Sequence, residues 1–167
     1  MTAPAKVRVP LTGDDLRQVY GRFPTGVVAV CAEVDGAPVG IAVSTFVPVS
    51  LDPPLVSICV RTASATWPLL RRAPGLGISV LGAHHEGVAR ALAGPAEHRF
   101  RDVATERRDA GALFVTEAPL SLRVRVIDDV VAGDHLIAVC RVDEVLVDDG
   151  HGPLVFHRSA LRPLVAA

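Results

Sequence analysis

The chain has 167 residues, of which 50% are hydrophobic and 21% are charged, and its formal net charge is −1. This length and composition predict one globular domain with a full hydrophobic core, and they exclude a disordered chain. The near-zero net charge without clustered Lys and Arg argues against nucleic-acid binding. The lack of an 18-residue apolar run argues against a membrane span.

Three cysteines are present, and each lies inside an apolar run: Cys31, Cys59 and Cys140. They are far apart in sequence, and no pair has the spacing of metal ligands. We predict buried, reduced thiols, because disulfides persist in oxidising compartments. The N-terminus also lacks the apolar region of a signal peptide, so a cytoplasmic protein is expected.

The first part of the chain predicts an arm, a helix and a hairpin. Residues 1–11 are expected to form a flexible N-terminal arm. Thr12 and Asp15 resemble a capping box, and apolar residues at helical spacing extend the helix to about Arg22. Two apolar runs then flank Asp35-Gly36, which predicts a β-hairpin because glycine tolerates a positive φ.

The rest of the chain predicts many strands and few helices. The predicted strands are 54–60, 75–82, 118–131, 135–147 and 153–164, and the predicted helices are 64–73 and 84–93. The order does not alternate strand with helix, which argues against a doubly wound sheet. We expect residues 12–167 to form a single mainly β domain with short helices, folded as a closed or split antiparallel β-barrel.

Three hydroxyl side chains interrupt the apolar segment 40–54, which reads GIAVSTFVPVSLDPP: Ser44, Thr45 and Ser50. In a half-buried strand, Ser44 and Thr45 would point to opposite faces. Such hydroxyls could meet the polar edge of a heterocycle, or they could bond to neighbouring backbone. The residues themselves leave both interpretations open.

Two further segments could bind a ligand. Arg61 precedes hydroxyls at 62, 64 and 66 and a predicted helix start, a pattern that suits a phosphate but also ordinary N-capping. Gly133-Asp134 predicts a hairpin turn, which places His135 at the barrel rim. A rim histidine could order a ligand or simply be solvated. His157 and Arg158 are neighbours in a predicted strand, so one of them could face a ligand.

Two tempting sites are excluded. The glycines of GLGISVLG, residues 75–82, do not have the G-x-G-x-x-G spacing, and they begin a strand rather than a helix. His84, His85 and Glu86 are consecutive, so they do not share one helical face and do not predict a metal site.

Taken in order, these segments resemble the flavin reductase-like family with the FMN-binding split barrel. The members are small reductase components of two-component flavin-dependent monooxygenases. The resemblance covers about residues 16–164. It is carried by RQVYGRFPTGVVAV, GIAVSTFVPVSLDPPLV, RTASATWPLL, HRF, AGDHLIAVCRV and PLVFHRSALRPL. The S-L-D-P-P block followed by G-D-H at this separation is the most specific part.

The resemblance implies a homodimer with FMN, or FAD in some members, near the dimer interface. It also implies hydride transfer from NADH or NADPH to the flavin, which then leaves for a partner monooxygenase. No metal is implied. Residues implied to line the isoalloxazine and ribityl are Ala42, Val43, Ser44, Thr45, Ser50, Leu51 and Asp52. Those implied near the phosphate are Arg61, Ser64 and Thr66, with Arg99 and Phe100 from a later loop. His135, the implied catalytic residue, would seat the nicotinamide with Arg158, next to Gly133 and Asp134.

Two positions depart from the family pattern. The family's T-A-N-S-F reads Ala42-Val43-Ser44-Thr45-Phe46, so the first hydroxyl is missing and backbone N–H groups are expected to replace it. The family's H-R-G reads His157-Arg158-Ser159. The main alternative function is a non-catalytic split-barrel protein that holds flavin or another planar cofactor. A third is an oxidase of a phosphorylated pyridine-type substrate.

Overall fold

The structure is a computed structural model that describes residues 7–164. Residues 1–6, most of the predicted arm, and residues 165–167 lie outside the described residues. Residues 7–12 are exposed and precede the first helix without regular secondary structure. Among residues 7–164, no helix has both the length and the apolar character needed to cross a membrane.

The described chain is mainly β. Its helices are α1 (Gly13–Tyr20), α2 (Trp67–Leu70) and α3 (Glu86–Ala93), with 3₁₀ turns at Ala83–His85, Ala96–His98 and Asp109–Gly111. Its strands are β1 (Thr25–Gly26), β2 (Val28–Val34), β3 (Ala37–Val43), β4 (Val47–Leu51), β5 (Pro54–Arg61), β6 (Leu76–Val80), β7 (Thr105–Arg107), β8 (Leu113–Val115), β9 (Leu120–Ala132), β10 (His135–Val147), β11 (Leu154–His157) and β12 (Ala160–Pro163).

Seven strands form one antiparallel sheet in the order β3-β2-β6-β9-β10-β5-β4. Strands β3 and β4 are its two edges, yet only residues 44–46 join them. A link of that length spans about 14 Å at most, so the sheet must curl until its edges approach each other. The edges are not hydrogen-bonded to one another. The predicted split antiparallel barrel is therefore confirmed.

The barrel interior is the main hydrophobic core. Alternate residues of the sheet strands point inward, as in Val28 and Val30 of β2 and Ile58 of β5. Helix α2 adds Trp67 and Leu70 to the same core. This interior is a packed core rather than a ligand cavity, so a ligand must bind outside it or at its rim.

A second core covers the outer face of β2. Ala29 and Cys31 alternate with the inward residues and pack beneath Ala89 and Leu92 of α3 and Leu113 of β8. The outer face of β5 and β10 is different. There, half-buried side chains such as those of Cys59 and Ile137 belong to neither core cluster of the described chain.

Several local predictions are confirmed. Helix α1 begins after Thr12, whose hydroxyl accepts a hydrogen bond from the Asp15 N–H at 3.3 Å. The β2–β3 hairpin turns at Asp35 and Gly36, with φ values of 52° and 79°. Positive φ at both central residues is what a tight hairpin turn requires.

Other local predictions are wrong. The helix predicted over 64–73 contracts to four residues, with turns on either side. The strand predicted over 153–164 is a hairpin whose turn residues, Arg158 and Ser159, have φ values of 50° and 60°. His157 and Arg158 therefore do not alternate in one strand. The periodic pattern missed this turn because neither residue is a glycine, the usual marker of a positive φ.

Candidate functional site

The hydroxyl-bearing segment lies where the chain crosses the split in the barrel. Strand β3 ends at Val43 and β4 begins at Val47, so residues 44–46 belong to neither strand. The prediction that Ser44 and Thr45 alternate across a strand is wrong. The chain leaves one edge of the sheet here and must reach the opposite edge, which ends the pleat. We call residues 44–46 the crossing segment.

The Thr45 hydroxyl is bonded to the backbone of β5. It accepts a hydrogen bond from the Cys59 N–H at 2.9 Å and donates one to the Cys59 carbonyl oxygen at 3.1 Å. Of the two interpretations that the sequence left open, backbone bonding applies to Thr45.

The backbone of the crossing segment is free. Within residues 7–164, no hydrogen bond involves the N–H or C=O groups of residues 44, 45 and 46. Thr45 is exposed, and its two neighbours are partly exposed. Backbone groups normally find partners, so three successive free peptide units at a sheet edge are available to a ligand or to water.

Ala42 and Val43 offer little side-chain surface to a ligand. Val43 packs against the interior core, and Ala42 packs against the second core beneath α3. Any contact with a ligand on the rim would therefore come from their backbone. The structure brings both residues directly next to the crossing segment.

Ser50, Leu51 and Asp52 lie at the far end of β5 from Arg61. Leu51 pairs with Pro54 at the start of β5, and the Asp52-Pro53 peptide in the turn is cis. Arg61 lies seven residue steps along the strand from Pro54, which is about 23 Å. The structure does not bring this turn together with the Arg61 end of the sheet.

Arg61, Gly133, Asp134 and His135 do come together. Arg61 is the register partner of His135 across β5 and β10. Gly133 turns the β9–β10 hairpin with φ 64°. The Thr62 N–H and hydroxyl both donate to the Asp134 carbonyl oxygen, at 3.0 and 3.1 Å. These bonds tie the end of β5 to the hairpin turn.

His135 is held by its neighbour. Its Nδ1 lies 2.8 Å from Asp134 Oδ1, and this hydrogen bond, followed by the charge of His135, lowers the pKa of Asp134. Because a carboxylate only accepts, Nδ1 carries the proton. Nε2 has no partner in the described residues and remains free for a ligand.

Ser64 and Thr66 have partners of their own. The Ser64 hydroxyl accepts from the N–H of Trp67, the first residue of α2, at 3.1 Å, so it bonds to backbone at the helix start, although the N-cap residue Thr66 makes no side-chain cap bond. The Thr66 hydroxyl accepts from Arg99 Nη1 at 2.9 Å. Both hydroxyls keep a hydrogen to donate. Helix α2 is too short to supply a strong dipole, so an anion here would depend on these hydroxyls and nearby guanidinium groups.

Arg99 joins three parts of the chain. Besides Thr66, it donates from Nη1 to the Gly40 carbonyl oxygen at 2.8 Å and from Nε to the Gly94 carbonyl oxygen at 2.9 Å. Phe100 packs directly over Gly40, where a Cβ atom would lie 2.8 Å from Phe100 Cζ. Sequence reasoning missed Gly40, although an isolated glycine in a strand signals close approach.

A cavity of about 140 Å³ lies beside these contacts. Its lining includes Gly40, Thr66, Leu69, Ala96, Arg99 and Phe100. The structure thus brings Thr66, Arg99 and Phe100 together, as a shared site requires.

Arg158 lies in another sheet. Strands β1, β11 and β12 form a three-stranded sheet, and Arg158 occupies the β11–β12 turn. Its N–H donates to the Gly21 carbonyl oxygen at 2.6 Å, which ties the turn to the end of α1. Its exposed side chain is on a different sheet from His135. As for metals, no cluster of three or more possible ligands occurs in residues 7–164.

Comparison with known proteins identifies the family. A family model described as "Flavin reductase like domain" matches residues 20–165. The chain belongs to this family. It is 34% identical over 150 residues to the reductase component of 4-nitrophenol 4-monooxygenase/4-nitrocatechol 2-monooxygenase from Rhodococcus opacus, covering 90% of this chain and 80% of that protein. It is 36% identical to an NADH-dependent flavin reductase of a Rhodococcus species, covering 89% and 85%.

Solved structures of flavin reductases superpose closely on this chain. The NADH:FAD oxidoreductase SgcE6 of Streptomyces globisporus, in complex with NAD and FAD fragments, superposes with a TM-score of 0.89 at 30% identity and covers 96% of this chain and 98% of that one. BorF, the flavin reductase component of a bacterial two-component tryptophan halogenase, gives 0.84 at 28% identity, with 93% and 100% covered. The predicted family resemblance is confirmed.

Proposed function

We propose that the protein is an NAD(P)H-dependent flavin reductase that delivers reduced FMN or FAD to a partner monooxygenase. Family membership supports this activity, and the relatives are named as flavin reductases or as reductase components of monooxygenases. The observation that carries the proposal is the free backbone of the crossing segment.

The crossing segment suits the polar edge of a flavin ring. That edge carries hydrogen-bond acceptors and one donor, which three free N–H and C=O groups can match. Backbone groups can therefore replace the hydroxyl that is missing at Ala42. A bound flavin would supply the hydride-accepting chemistry, and the protein's task would be to orient the two cofactors and exclude side reactions.

We propose Arg61, Ser64 and Thr66 as the phosphate anchors. Ser64 and Thr66 each have a hydroxyl hydrogen to donate, and the Arg61 side chain is exposed. Arg99 already bonds three acceptors, so we assign it to holding Thr66 and Gly40 in place, with Phe100 packed beside it. Ser50, Leu51 and Asp52 stay predicted flavin contacts, at a distance from the Arg61 end that the sequence did not reveal.

His135 is the proposed residue for seating the nicotinamide. Its Nδ1 is tied to Asp134, so the free Nε2 has a defined orientation from which to bond or stack against the ring. Arg158 is proposed to join it from the β11–β12 turn. Replacing His135 with Ala should raise the nicotinamide KM more than the flavin Kd. The exposed His98 supplies the matched control, His98→Ala.

We further propose a homodimer that buries the outer face of β5 and β10. This face presents Cys59, Ile137 and Val139 in neighbouring strands, with Val130 beside them. Val130 is 47% exposed, and the other three side chains are partly exposed in the single chain. Removing such apolar surface from water favours association. We keep the prediction of one domain over residues 12–167, in a cytoplasmic protein with free thiols.

One assay tests the activity. Purified protein is mixed with NADH or NADPH and with FMN or FAD, and the absorbance of the reduced nicotinamide is followed. We expect rapid oxidation with at least one pair. No oxidation above the protein-free background with any pair would refute the reductase. Flavin binding without turnover would then support the non-catalytic alternative.

A further inference from the structure

We propose that Thr45 is a positioning residue whose hydroxyl fixes the crossing segment to β5 and so presets the free backbone groups for flavin. The hydroxyl itself does not contact the flavin. This inference rests on the proposed function, because it concerns the same site.

The register of β4 and β5 shows what the hydroxyl replaces. Pairing between these strands ends at Val47 and Ser57. Two residues further along each strand, Thr45 would be the partner of Cys59. In a regular antiparallel ladder, two such residues exchange both N–H···O bonds through their backbones. Here, Cys59 makes both of its bonds to the Thr45 hydroxyl instead.

This substitution frees the Thr45 backbone. A strand neighbour normally uses its own N–H and C=O for the ladder, whereas Thr45 uses only its side chain. The segment is therefore held against β5 while its peptide groups stay unpaired among the described residues. Groups that are already fixed lose little freedom when a ligand binds, which raises affinity.

The bonding capacity of the hydroxyl excludes donation to the acceptor atoms of a flavin. It has one hydrogen, which is donated to the Cys59 carbonyl, and one of its two lone pairs accepts the Cys59 N–H. It cannot also donate to a flavin nitrogen or oxygen. Thr45 therefore acts through the backbone.

Three variants test whether the Thr45 hydroxyl acts through its bonds to Cys59 or by direct contact with the flavin. Thr45→Val keeps the branched shape and removes both hydrogen bonds, whereas Thr45→Ser keeps the hydroxyl. Ser44→Ala is the matched control, because the Ser44 hydroxyl makes no hydrogen bond within residues 7–164. Each flavin-free variant is first checked for a cooperative thermal transition. Amide hydrogen exchange at Cys59 and the Kd for FMN, from flavin fluorescence, are then measured.

We expect Thr45→Val to speed exchange of the Cys59 amide and to weaken FMN binding, each by about 10-fold, since each lost bond is modest. The KM for NADH should stay within about 2-fold, a split that general destabilisation would not produce. Thr45→Ser should restore both values to within about 3-fold. Ser44→Ala should leave Cys59 exchange unchanged.

Two results would overturn the inference. Weaker FMN binding with unchanged Cys59 exchange would mean that the hydroxyl contacts the flavin directly. Faster exchange with unchanged FMN affinity would mean that the bond does not position the site. The readouts are binding and exchange, so a protein that binds FMN without oxidising NADH or NADPH would refute the reductase alone. A protein that binds no flavin would refute both proposals.

Discussion

Strands β2 and β5 form two walls of the barrel. Their sequences are similar, but their outer faces differ in what covers them. Each is an apolar strand with a central cysteine, Cys31 in VVAVCAEV and Cys59 in VSICV. Both strands send alternate side chains into the same interior core. The outer face of β2 lies under α3 and Phe100, and Cys31 is 1% exposed there. The outer face of β5 is open, and Cys59 is partly exposed.

This contrast divides one sheet into a covered wall at β2 and an open wall at β5 and β10. The covered wall adds a second core, in which Ala29 and Cys31 of β2 pack beneath α3. The open wall has an apolar outer face. The crossing segment, Arg61 and His135 lie at one end of this wall. A sheet that is covered on one side only can dedicate the other side to binding.

The largest expected effect comes from charging the open wall. Ile137→Lys should make the protein monomeric at micromolar concentration in analytical ultracentrifugation. A symmetric dimer would bury two new ammonium groups, and at about 3 kcal/mol each this weakens association by about 10⁴-fold. Ala93→Lys, on the exposed end of α3, should leave the assembly unchanged. A dimeric Ile137→Lys protein would place the interface elsewhere.

The second-largest effect is expected in thiol labelling, which should distinguish the two walls. Burial raises the pKa of both the Cys31 and Cys140 thiols to about 12. Three pKa units correspond to about 10³-fold less thiolate, so neither should react with a disulfide reagent while the protein is folded. In the Ile137→Lys background, we expect one fast-reacting thiol per chain, abolished by Cys59→Ser. Fast labelling of Cys31 would contradict the covered wall.

Adding a methyl group should damage the covered wall. In Gly40→Ala, the new Cβ would lie 2.6 Å from Cys31 Sγ and 2.8 Å from Phe100 Cζ. We expect the free energy of unfolding to fall by about 1–3 kcal/mol, with weaker flavin binding because Arg99 also bonds Gly40. Gly87→Ala, in α3 with nothing near the new atom, is the control and should stabilise slightly in urea titrations.

The smallest effect concerns how α3 is held over the covered wall. His85 Nδ1 accepts from the Gly82 N–H, and Nε2 lies 3.0 Å from the Thr116 carbonyl. Burial, then His84, lowers the pKa of His85 from its ordinary 6.5, with Glu117 and His151 also nearby. Unfolding therefore takes up a proton as the pH falls below 6.5, and stability is lost on acidification but not at higher pH.

Urea midpoints at several pH values test this dependence. His85→Gln should flatten the decline below pH 6.5, whereas His98→Gln, at an exposed position, should not. An unchanged slope in His85→Gln would contradict the assignment of this acid sensitivity to His85.

Structural features that depend on a few adjacent residues could be predicted from the sequence. The Thr12 cap and the Asp35-Gly36 turn depend on a few adjacent residues, so both predictions are confirmed. The alternation of Ser44 with Thr45 was wrong because it assumed that the strand continues. The Arg158 turn was missed because its positive φ is imposed by the β11–β12 hairpin rather than by a glycine.

The sequence by itself determined a mainly β antiparallel domain, since apolar periodicity and turn residues act over short distances, and it nominated the segments of the candidate site. Only the tertiary structure decided which wall is covered, that residues 44–46 cross the split, and that Thr45 bonds to Cys59 fourteen residues away. Sheet order and edge position arise from contacts between distant strands, which no local pattern encodes. In the proposed site, the backbone of residues 44–46, which the Thr45 side chain holds against β5, would take the place of the hydroxyl missing at Ala42.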